Sequence, residues 1–291
     1  MCTIFPEYDW VKQILGDHLE NTDLTMLLDN GVDLHSYQPT TDDIVKISNC
    51  DMFIYVGGES DSWVEDALKE ATNKNMVVIN LLDFLGDTVK EEEVIQGMEG
   101  EHAEGEHAEE ENPEYDEHVW LSLKNASTIT SFISEKLGEI DEKNAADYKA
   151  NGTSYIKQLD SLDKNYQKTI KEGKHKTLLF GDRFPFRYLV DDYGLSYYAA
   201  FVGCSAETEA SFKTIAFLAK KVDNLGLNSI MTIEGTDHKI AQTIKENTAT
   251  KDQKILSLDS MQSTTSKDVD AGATYLSIMT DNLKTLKEAL Q

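Results

Sequence analysis

Five side chains that can bind a divalent cation follow predicted strands or the acidic segment of the chain. They are His35, His118, Asp182, Glu234 and Asp259. Two imidazoles and two carboxylates can fill the compact coordination shell of a metal such as zinc. Each also has a structural alternative, because a single histidine often only forms a hydrogen bond, and an aspartate after a strand often caps the next helix. The metal-site hypothesis therefore depends on these loops converging.

The elements that would bring these loops together alternate between strands and helices. In the first part of the chain, an apolar run at residues 51–56 ends at a Gly-Gly turn and is predicted to be a strand. A helix at 63–73 and a second strand at 76–81 follow, and an earlier strand is predicted at 24–28. This alternation is typical of a parallel sheet covered by helices.

The alternation restarts after a helical region, in which helical spacing of apolar residues predicts helices at 127–137 and 145–171. The later strands are predicted at residues 177–180, 197–202, 229–233 and 254–258, and the later helices at 212–222, 238–246 and 271–290. The predicted fold class is therefore α/β. It has two lobes, each with a mostly parallel sheet flanked by helices, joined by a long rigid helix.

This organisation predicts three regions. They are an N-terminal α/β lobe at residues 1–125, a helical region with the connecting helix at 126–174, and a C-terminal α/β lobe at 175–291. Ligands of open α/β sheets bind beyond the carboxyl ends of the strands. We therefore expect the strand ends of both lobes to face a shared cleft.

An acidic segment at residues 91–117 interrupts the pattern. It contains 13 acidic residues, no lysine or arginine, three glycines and two histidines. Such a segment repels itself and cannot build a core, so a mobile loop is predicted. Its function has two interpretations: solvated filler, or a weak metal-collecting loop in which His102 and His107 hold cations among carboxylates.

Composition excludes several classes of partner and chemistry. With a net charge of −26, the 291-residue chain is not expected to bind nucleic acid or an anionic membrane surface. Its three cysteines are scattered without a CxxC pair, and Cys50 and Cys204 are predicted to be packing residues. Walker, dinucleotide-binding and Gly-x-Ser-x-Gly patterns are absent from the sequence, and no catalytic residues are predicted.

Four segments resemble, in order, those of the zinc/manganese-type substrate-binding proteins of ABC importers. Residues 33–40 (DLHSYQPT) resemble the His-x-Tyr-x-Pro segment of that family, and residues 116–122 (DEHVWLS) its Asp-Pro-His-Val-Trp-Leu-Ser segment, with Glu117 in place of proline. Residues 186–195 (FRYLVDDYGL) resemble its Phe-x-Tyr…Tyr-Gly-Leu stretch, and residues 258–260 (LDS) its late Asp-Ser motif. The resemblance covers nearly the whole chain.

The resemblance implies one divalent metal bound between two lobes. His35 and His118 match the first-lobe ligands, and Asp259 matches a second-lobe carboxylate. The remaining family ligand stands shortly before Phe-x-Tyr, where direct spacing places Arg183, whose permanent charge prevents metal binding. Asp182, one residue earlier, is the predicted ligand. The possible alternative ligands are Glu207, Glu209 and Glu234.

The predicted function is high-affinity capture of zinc in the interlobe cleft, without catalysis, and its delivery to an ABC permease in the membrane. Zinc is preferred over manganese because two imidazoles suit zinc and affinity rises from manganese to zinc at most such sites. The resemblance further implies a lipid-anchored protein at the extracellular face of the cell membrane, with the leader absent from this sequence. A monomer is expected.

Three alternatives stay open at this point. The first is a manganese-binding protein of the same family. The second is a metal-dependent hydrolase that uses the same cleft, with an open coordination position and a nearby general base. The third is an acidic metal buffer or adhesin, in which residues 91–117 are the functional part.

Overall fold

The chain forms two compact units, each assembled from three separate segments. The computed structural model describes residues 1–99, 114–205, 209–235 and 237–291. The first unit comprises Met1–Val89, Ser122–Asp163 and Met261–Ile278, and the second comprises Lys90–Leu121, Lys164–Ser260 and Met279–Gln291. The division predicted at residues 125 and 175 makes each lobe continuous, whereas each unit combines segments that are distant in the chain.

The first unit contains a small parallel sheet. Strands β1 (Met52–Tyr55) and β2 (Val77–Asn80) pair in parallel, and single bridges join Cys2 to both Ile54 and Met26. The strand predicted at 24–28 is thus reduced to one bridge. The helices of this unit are α1 (Phe5–Leu15), α2 (Thr41–Asn49), α3 (Val64–Lys69), α4 (Leu81–Leu85), α5 (Leu123–Ile140) and α10 (Ser266–Asp270). Short 3-10 helices lie at Gly16–Asn21, Leu34–Ser36 and Gly86–Thr88.

Buried aromatic rings and one buried carboxylate hold the helices of the first unit. Trp10 packs edge-on against Tyr275 with ring centroids 5.3 Å apart. The Asp9 carboxylate accepts hydrogen bonds from the Tyr155 hydroxyl at 3.3 Å and from the Tyr275 backbone N–H at 3.0 Å. Because Asp9 is almost wholly buried, these bonds compensate for its lost hydration. They tie α1 to residues more than a hundred positions away.

The second unit is built on a four-stranded parallel sheet within the described residues. Its strands are β3 (Thr177–Phe184), β4 (Ser196–Val202), β5 (Ser229–Ile233) and β6 (Lys254–Leu258), in the order β4-β3-β5-β6. Its helices include α7 (Arg187–Tyr193), α8 (Phe212–Leu225) and α9 (Lys239–Glu246), and a 3-10 helix lies at Val119–Leu121. The strand order reverses between β4 and β5 around β3, which marks the carboxyl ends of these strands as the usual ligand position.

One long helix, α6 (Ala145–Glu172), confirms the helix predicted at residues 145–171. It has 28 residues, about 42 Å at 1.5 Å per residue. Its buried face carries Tyr148, Tyr155, Leu159, Leu162, Tyr166 and Ile170. Gly152 in its interior has a packing reason, because an added Cβ would lie 2.1 Å from Ser134 Oγ on α5. The last helix, α11 (Tyr275–Ala289), contributes residues to both units.

The acidic segment has ordered flanks in the second unit. Glu91 forms an antiparallel bridge with Tyr115, and the Glu99 N–H donates to the Ala200 carbonyl of β4 at 2.8 Å. Asp116 and Glu117 are both buried. Residues 100–113, with His102 and His107, lie outside the described residues, so the metal-collecting interpretation stays a prediction.

The described helices are all unsuited to crossing a bilayer. Among the described residues, none of them combines the length and the apolar character that a membrane span requires.

Candidate metal site

His35 lies in the first unit on a short 3-10 helix that Asp33 begins. The Asp33 carboxylate caps this turn by accepting the His35 backbone N–H at 3.1 Å. The ring Nδ1 lies 2.7 Å from Ser60 Oγ, and the side chain is 11% exposed. When Nδ1 donates to this hydroxyl, Nε2 keeps the lone pair that a metal needs. The turn therefore presents an oriented and partly accessible imidazole.

His118 lies in the second unit and is fully buried. Its Nδ1 lies 2.9 Å from Asp116 Oδ1, which also accepts the His118 backbone N–H at 2.9 Å. A carboxylate on one ring nitrogen fixes the orientation of a metal-binding histidine and directs the lone pair to the other nitrogen. Tyr188 in turn donates its hydroxyl to the Asp116 carbonyl at 2.8 Å. The ring is thus held in one orientation by groups of its own unit.

The residues around His118 form their hydrogen bonds with other parts of the second unit. Trp120 is fully buried and donates its Nε1–H to the Ser260 carbonyl at 2.8 Å, just after β6. The Lys90 N–H at the start of the acidic segment donates to the Tyr188 hydroxyl at 3.0 Å. The sequence places His118 in the first lobe with His35, whereas the structure groups its segment with the second unit.

Cys204 is the thiol that the structure brings beside His118. It follows β4, and its sulfur lies within 4.8 Å of a ring nitrogen of His118. Gly203 makes this approach possible, because a Cβ there would lie 2.9 Å from His118 Cε1 and 3.2 Å from Nδ1. The Cys204 N–H donates to Glu92 Oε1 at 3.3 Å.

Carboxylates dominate the electrostatic surroundings of this thiol. Burial raises the pKa of the Cys204 thiol, and the carboxylate of Glu117 raises it further, followed by those of Glu92 and Asp116. Burial also raises the pKa of Glu92 to about 7, against the opposing hydrogen bond from the Cys204 N–H. A concentration of buried negative charge favours a bound cation.

Asp182 has both carboxylate oxygens engaged within the second unit. It lies within β3, which extends beyond the strand predicted at 177–180. Its Oδ1 accepts the Arg183 N–H at 3.0 Å, and its Oδ2 accepts the Ile233 N–H at the end of β5 at 3.3 Å. The carboxylate therefore joins two neighbouring strands at the point where the strand order reverses.

Asp259 and Glu234 both lie in the second unit, but their hydrogen bonds differ. Those given for Asp259 involve its backbone, and those given for Glu234 involve its carboxylate. The backbone of Asp259 is fixed on both sides by the Asn282 side chain, with two hydrogen bonds of 2.8 Å. The Glu234 carboxylate accepts the Ser260 N–H at 2.7 Å and the Ser260 hydroxyl at 2.6 Å. Glu234 thus shapes the turn that carries Asp259. Glu209 is exposed, and Glu207 lies outside the described residues.

Sequence reasoning missed Cys204, although the signal was present. It stands two residues after the end of β4, the same placement that selected the histidine and carboxylate candidates. It was set aside because its neighbours are apolar. Within the described part of the second unit, the grouping of potential ligand atoms that contains His118 and Cys204 includes neither Asp182 nor Asp259.

Comparisons with known proteins give the family. The model of the family described as zinc-uptake complex component A, periplasmic, matches residues 1–289. The zinc-binding lipoprotein AdcA of Streptococcus pneumoniae (strain ATCC BAA-255 / R6) is 30% identical over 290 residues, which cover 98% of this chain and 54% of AdcA. The high-affinity zinc uptake system protein ZnuA of Bacillus subtilis (strain 168) is 31% identical over 289 residues, which cover 99% of this chain and 86% of ZnuA.

A solved structure agrees with the sequence comparison. The Zn(II)-bound ZnuA-like domain of Streptococcus pneumoniae AdcA superposes with a TM-score of 0.76 at 28% identity, covering 99% of this chain and 97% of that one. The α/β fold with helix-flanked parallel sheets is thereby confirmed. The chain spans about half the length of the curated AdcA relatives that it matches. By its full-length match, this chain belongs to the family of zinc-uptake complex component A proteins.

Proposed function

We propose that this chain captures a zinc ion with high affinity and delivers it to the permease of an ABC transporter. Membership of a zinc-uptake family supports the transport role. The observation that carries the zinc site is the buried His118 ring, oriented by Asp116 at 2.9 Å. Burying an imidazole against a carboxylate is the usual support of a metal-ligating histidine.

The proposed ligands begin with His35 and His118, as the family resemblance implies. Asp259 is the proposed carboxylate, because the Asn282 side chain fixes its backbone on the turn after β6. Asp182 is a weaker candidate than the sequence suggests, since binding a metal there would compete with two backbone hydrogen bonds. Glu234 is disfavoured for the same reason, because Ser260 occupies both of its oxygens.

Zinc is the proposed cargo in preference to manganese. The relatives named above are zinc-binding or zinc-uptake proteins. Two imidazole ligands also suit zinc, and affinity at most nitrogen and oxygen sites rises from manganese to zinc. The action proposed is binding and release of the ion without chemical turnover.

The proposed location is the extracellular face of the cell membrane, with attachment through a lipid anchor. The name of the pneumococcal relative, a zinc-binding lipoprotein, supports this location. The proposed partner is the membrane permease, approached by a monomer. The net charge of −26 is suited to attracting cations towards the protein.

Competitive titration of the metal-free protein with zinc and manganese tests the proposal. One zinc ion per chain should bind with a dissociation constant in the submicromolar range or tighter, about −8 kcal/mol or more favourable. Manganese should bind at least about tenfold more weakly. Failure to bind zinc stoichiometrically would refute the proposed function, whereas a manganese preference would refute only the proposed cargo.

A further inference from the structure

We propose that Cys204 is a zinc ligand, giving the site a sulfur donor beside the His118 imidazole. This inference rests on the proposed function and adds to it the chemical identity of one ligand. The family resemblance assigns only histidines and carboxylates to the site, and the position that it requires before Phe-x-Tyr holds Arg183 here. Cys204 supplies a donor from another loop of the same unit.

The separation between His118 and Cys204 is short enough for both side chains to reach one zinc ion. Zinc binds thiolate sulfur at about 2.3 Å and imidazole nitrogen at about 2.0 Å, which places the two donors about 3.5 Å apart. In the structure, a ring nitrogen of His118 and the sulfur of Cys204 lie within 4.8 Å of each other. A side-chain adjustment of about an ångström therefore suffices for both to reach one ion.

The surroundings of the pair are arranged for this approach. Gly203 leaves the space that the His118 ring fills, since a side chain there would meet Cε1 at 2.9 Å. Glu92 accepts the Cys204 N–H, which fixes the backbone that carries the sulfur. Asp116 fixes the ring through its Nδ1 atom. Both donors are thus held by the backbone and by a carboxylate.

Charge also favours a cation at the thiol. The four charged groups that most affect Cys204 are all carboxylates, those of Glu117, Glu92, Asp116 and Glu114. A divalent cation is attracted to such a group of carboxylates. Zinc binding replaces the thiol proton with a Zn–S bond and releases that proton to solvent.

Sulfur ligation has a consequence for selectivity. Thiolate is a soft ligand that suits zinc, whereas manganese prefers carboxylate, carbonyl and water oxygens. Cys204 should therefore contribute more to zinc affinity than to manganese affinity. Replacing it with an oxygen donor should narrow the difference between the two metals.

Cobalt spectroscopy and zinc titration of Cys204→Ser, with Cys50→Ser as the matched control, test the inference. Cys50 is also partly buried, but it lies in the first unit against the Met76 sulfur. Wild-type protein and Cys50→Ser loaded with Co(II) should show a thiolate-to-cobalt charge-transfer band in the near ultraviolet, which Cys204→Ser should lack. Zinc affinity should fall at least about tenfold in Cys204→Ser alone.

The outcomes separate this inference from the proposed function. Tight stoichiometric zinc binding, with no charge-transfer band and no loss in Cys204→Ser, would overturn the cysteine ligand and leave zinc capture standing. Absence of zinc binding in the wild type would overturn both. If Cys204→Ser does not fold, alkylation of wild-type thiols, followed by mass spectrometry, decides. Zinc should protect Cys204 but not Cys50, and equal rates with and without zinc would overturn the inference.

Discussion

The two units hold their candidate histidines in contrasting ways. His35 stands on a three-residue 3-10 helix, with a neutral hydroxyl on Nδ1 and a partly exposed ring. His118 is fully buried, with a carboxylate on Nδ1 and a thiol nearby. A charged carboxylate partner fixes the orientation of a ring more firmly than a neutral hydroxyl does. The second unit therefore offers the more preorganised donor, and the first unit the more accessible one.

Both units also bury carboxylates, with different consequences. In the first unit, Glu7 and Asp61 are buried, and each has one buried oxygen without a hydrogen-bond partner. In the second unit, the buried Asp116 orients the His118 ring. Buried acidity alone thus does not identify a metal site. A metal site is indicated instead by a carboxylate that is hydrogen-bonded to a metal-binding side chain, as Asp116 is to His118.

The largest effect is expected from His118→Ala. Losing a preorganised imidazole should weaken zinc binding by about 100-fold or more, and His35→Ala should weaken it by about tenfold or more, because water can replace an accessible ring more easily. Competitive zinc titration measures both. His18→Ala is the matched control, since His18 also contacts an aspartate, Asp147 at 2.9 Å, but on the surface. A larger loss of zinc affinity in His35→Ala than in His118→Ala would show that His35 is the more important ligand.

Asp116→Asn should have the next largest effect. The amide keeps the size of the side chain but removes the charge that orients and polarises His118, and second-shell changes of this kind cost about 10-fold to 100-fold in metal affinity. Asp147→Asn, in the exposed pair with His18, is the control and should leave zinc affinity unchanged. Unaltered zinc affinity in Asp116→Asn would show that His118 does not act through this carboxylate.

Ser60→Ala should have a small effect on zinc binding. It removes the hydroxyl from His35 Nδ1, a neutral hydrogen bond worth about 1 kcal/mol, or about fivefold in affinity. The exposed Ser62→Ala is the control. Zinc titration should rank Ser60→Ala well below Asp116→Asn. An equal loss in both would mean that the two histidines are equally preorganised.

Much of the fold was predictable from the sequence. The strands β5 and β6 have the predicted bounds, and α6 extends one residue beyond its predicted end. Their patterns are local: continuous apolar runs for the buried strands and helical spacing for the helix. By contrast, α1 and α7 were not predicted. α7 has only seven residues, and so short a segment shows little periodicity.

The site was less predictable than the fold. His118 is found from its motif, but the unit of its segment depends on distant contacts, those of Asp116 with Tyr188 and of Trp120 with Ser260. Cys204 was missed because its apolar neighbours favour a packing role, and its placement beside His118 leaves no mark in the local sequence. Asp182 was chosen by spacing, which carries no information about the Ile233 N–H that its carboxylate accepts. Long-range contacts of this kind leave no local pattern.

The smallest effect on zinc, but a clear effect on stability, is expected from Glu7→Gln. Burial raises the pKa of Glu7 to about 8 from its ordinary value of 4.5, and the carboxylate of Asp61 adds to this. Between these values the unfolded chain has released the proton while the folded chain retains it. Folding stability should therefore decline as pH rises from about 4.5 to about 8. Glutamine resembles the protonated acid and should remove this part of the decline.

Thermal unfolding of the zinc-free protein at about pH 5 and about pH 8 measures the effect. Glu7→Gln should resemble the wild type at the lower pH and have the higher Tm at the upper pH, while zinc affinity stays unchanged. The control is Glu139→Gln, an exposed position that loses only a contact with Lys136. This variant should change the Tm by the same amount at both pH values. If Glu7→Gln lowers the Tm equally at both pH values, Glu7 is ionised in the folded protein.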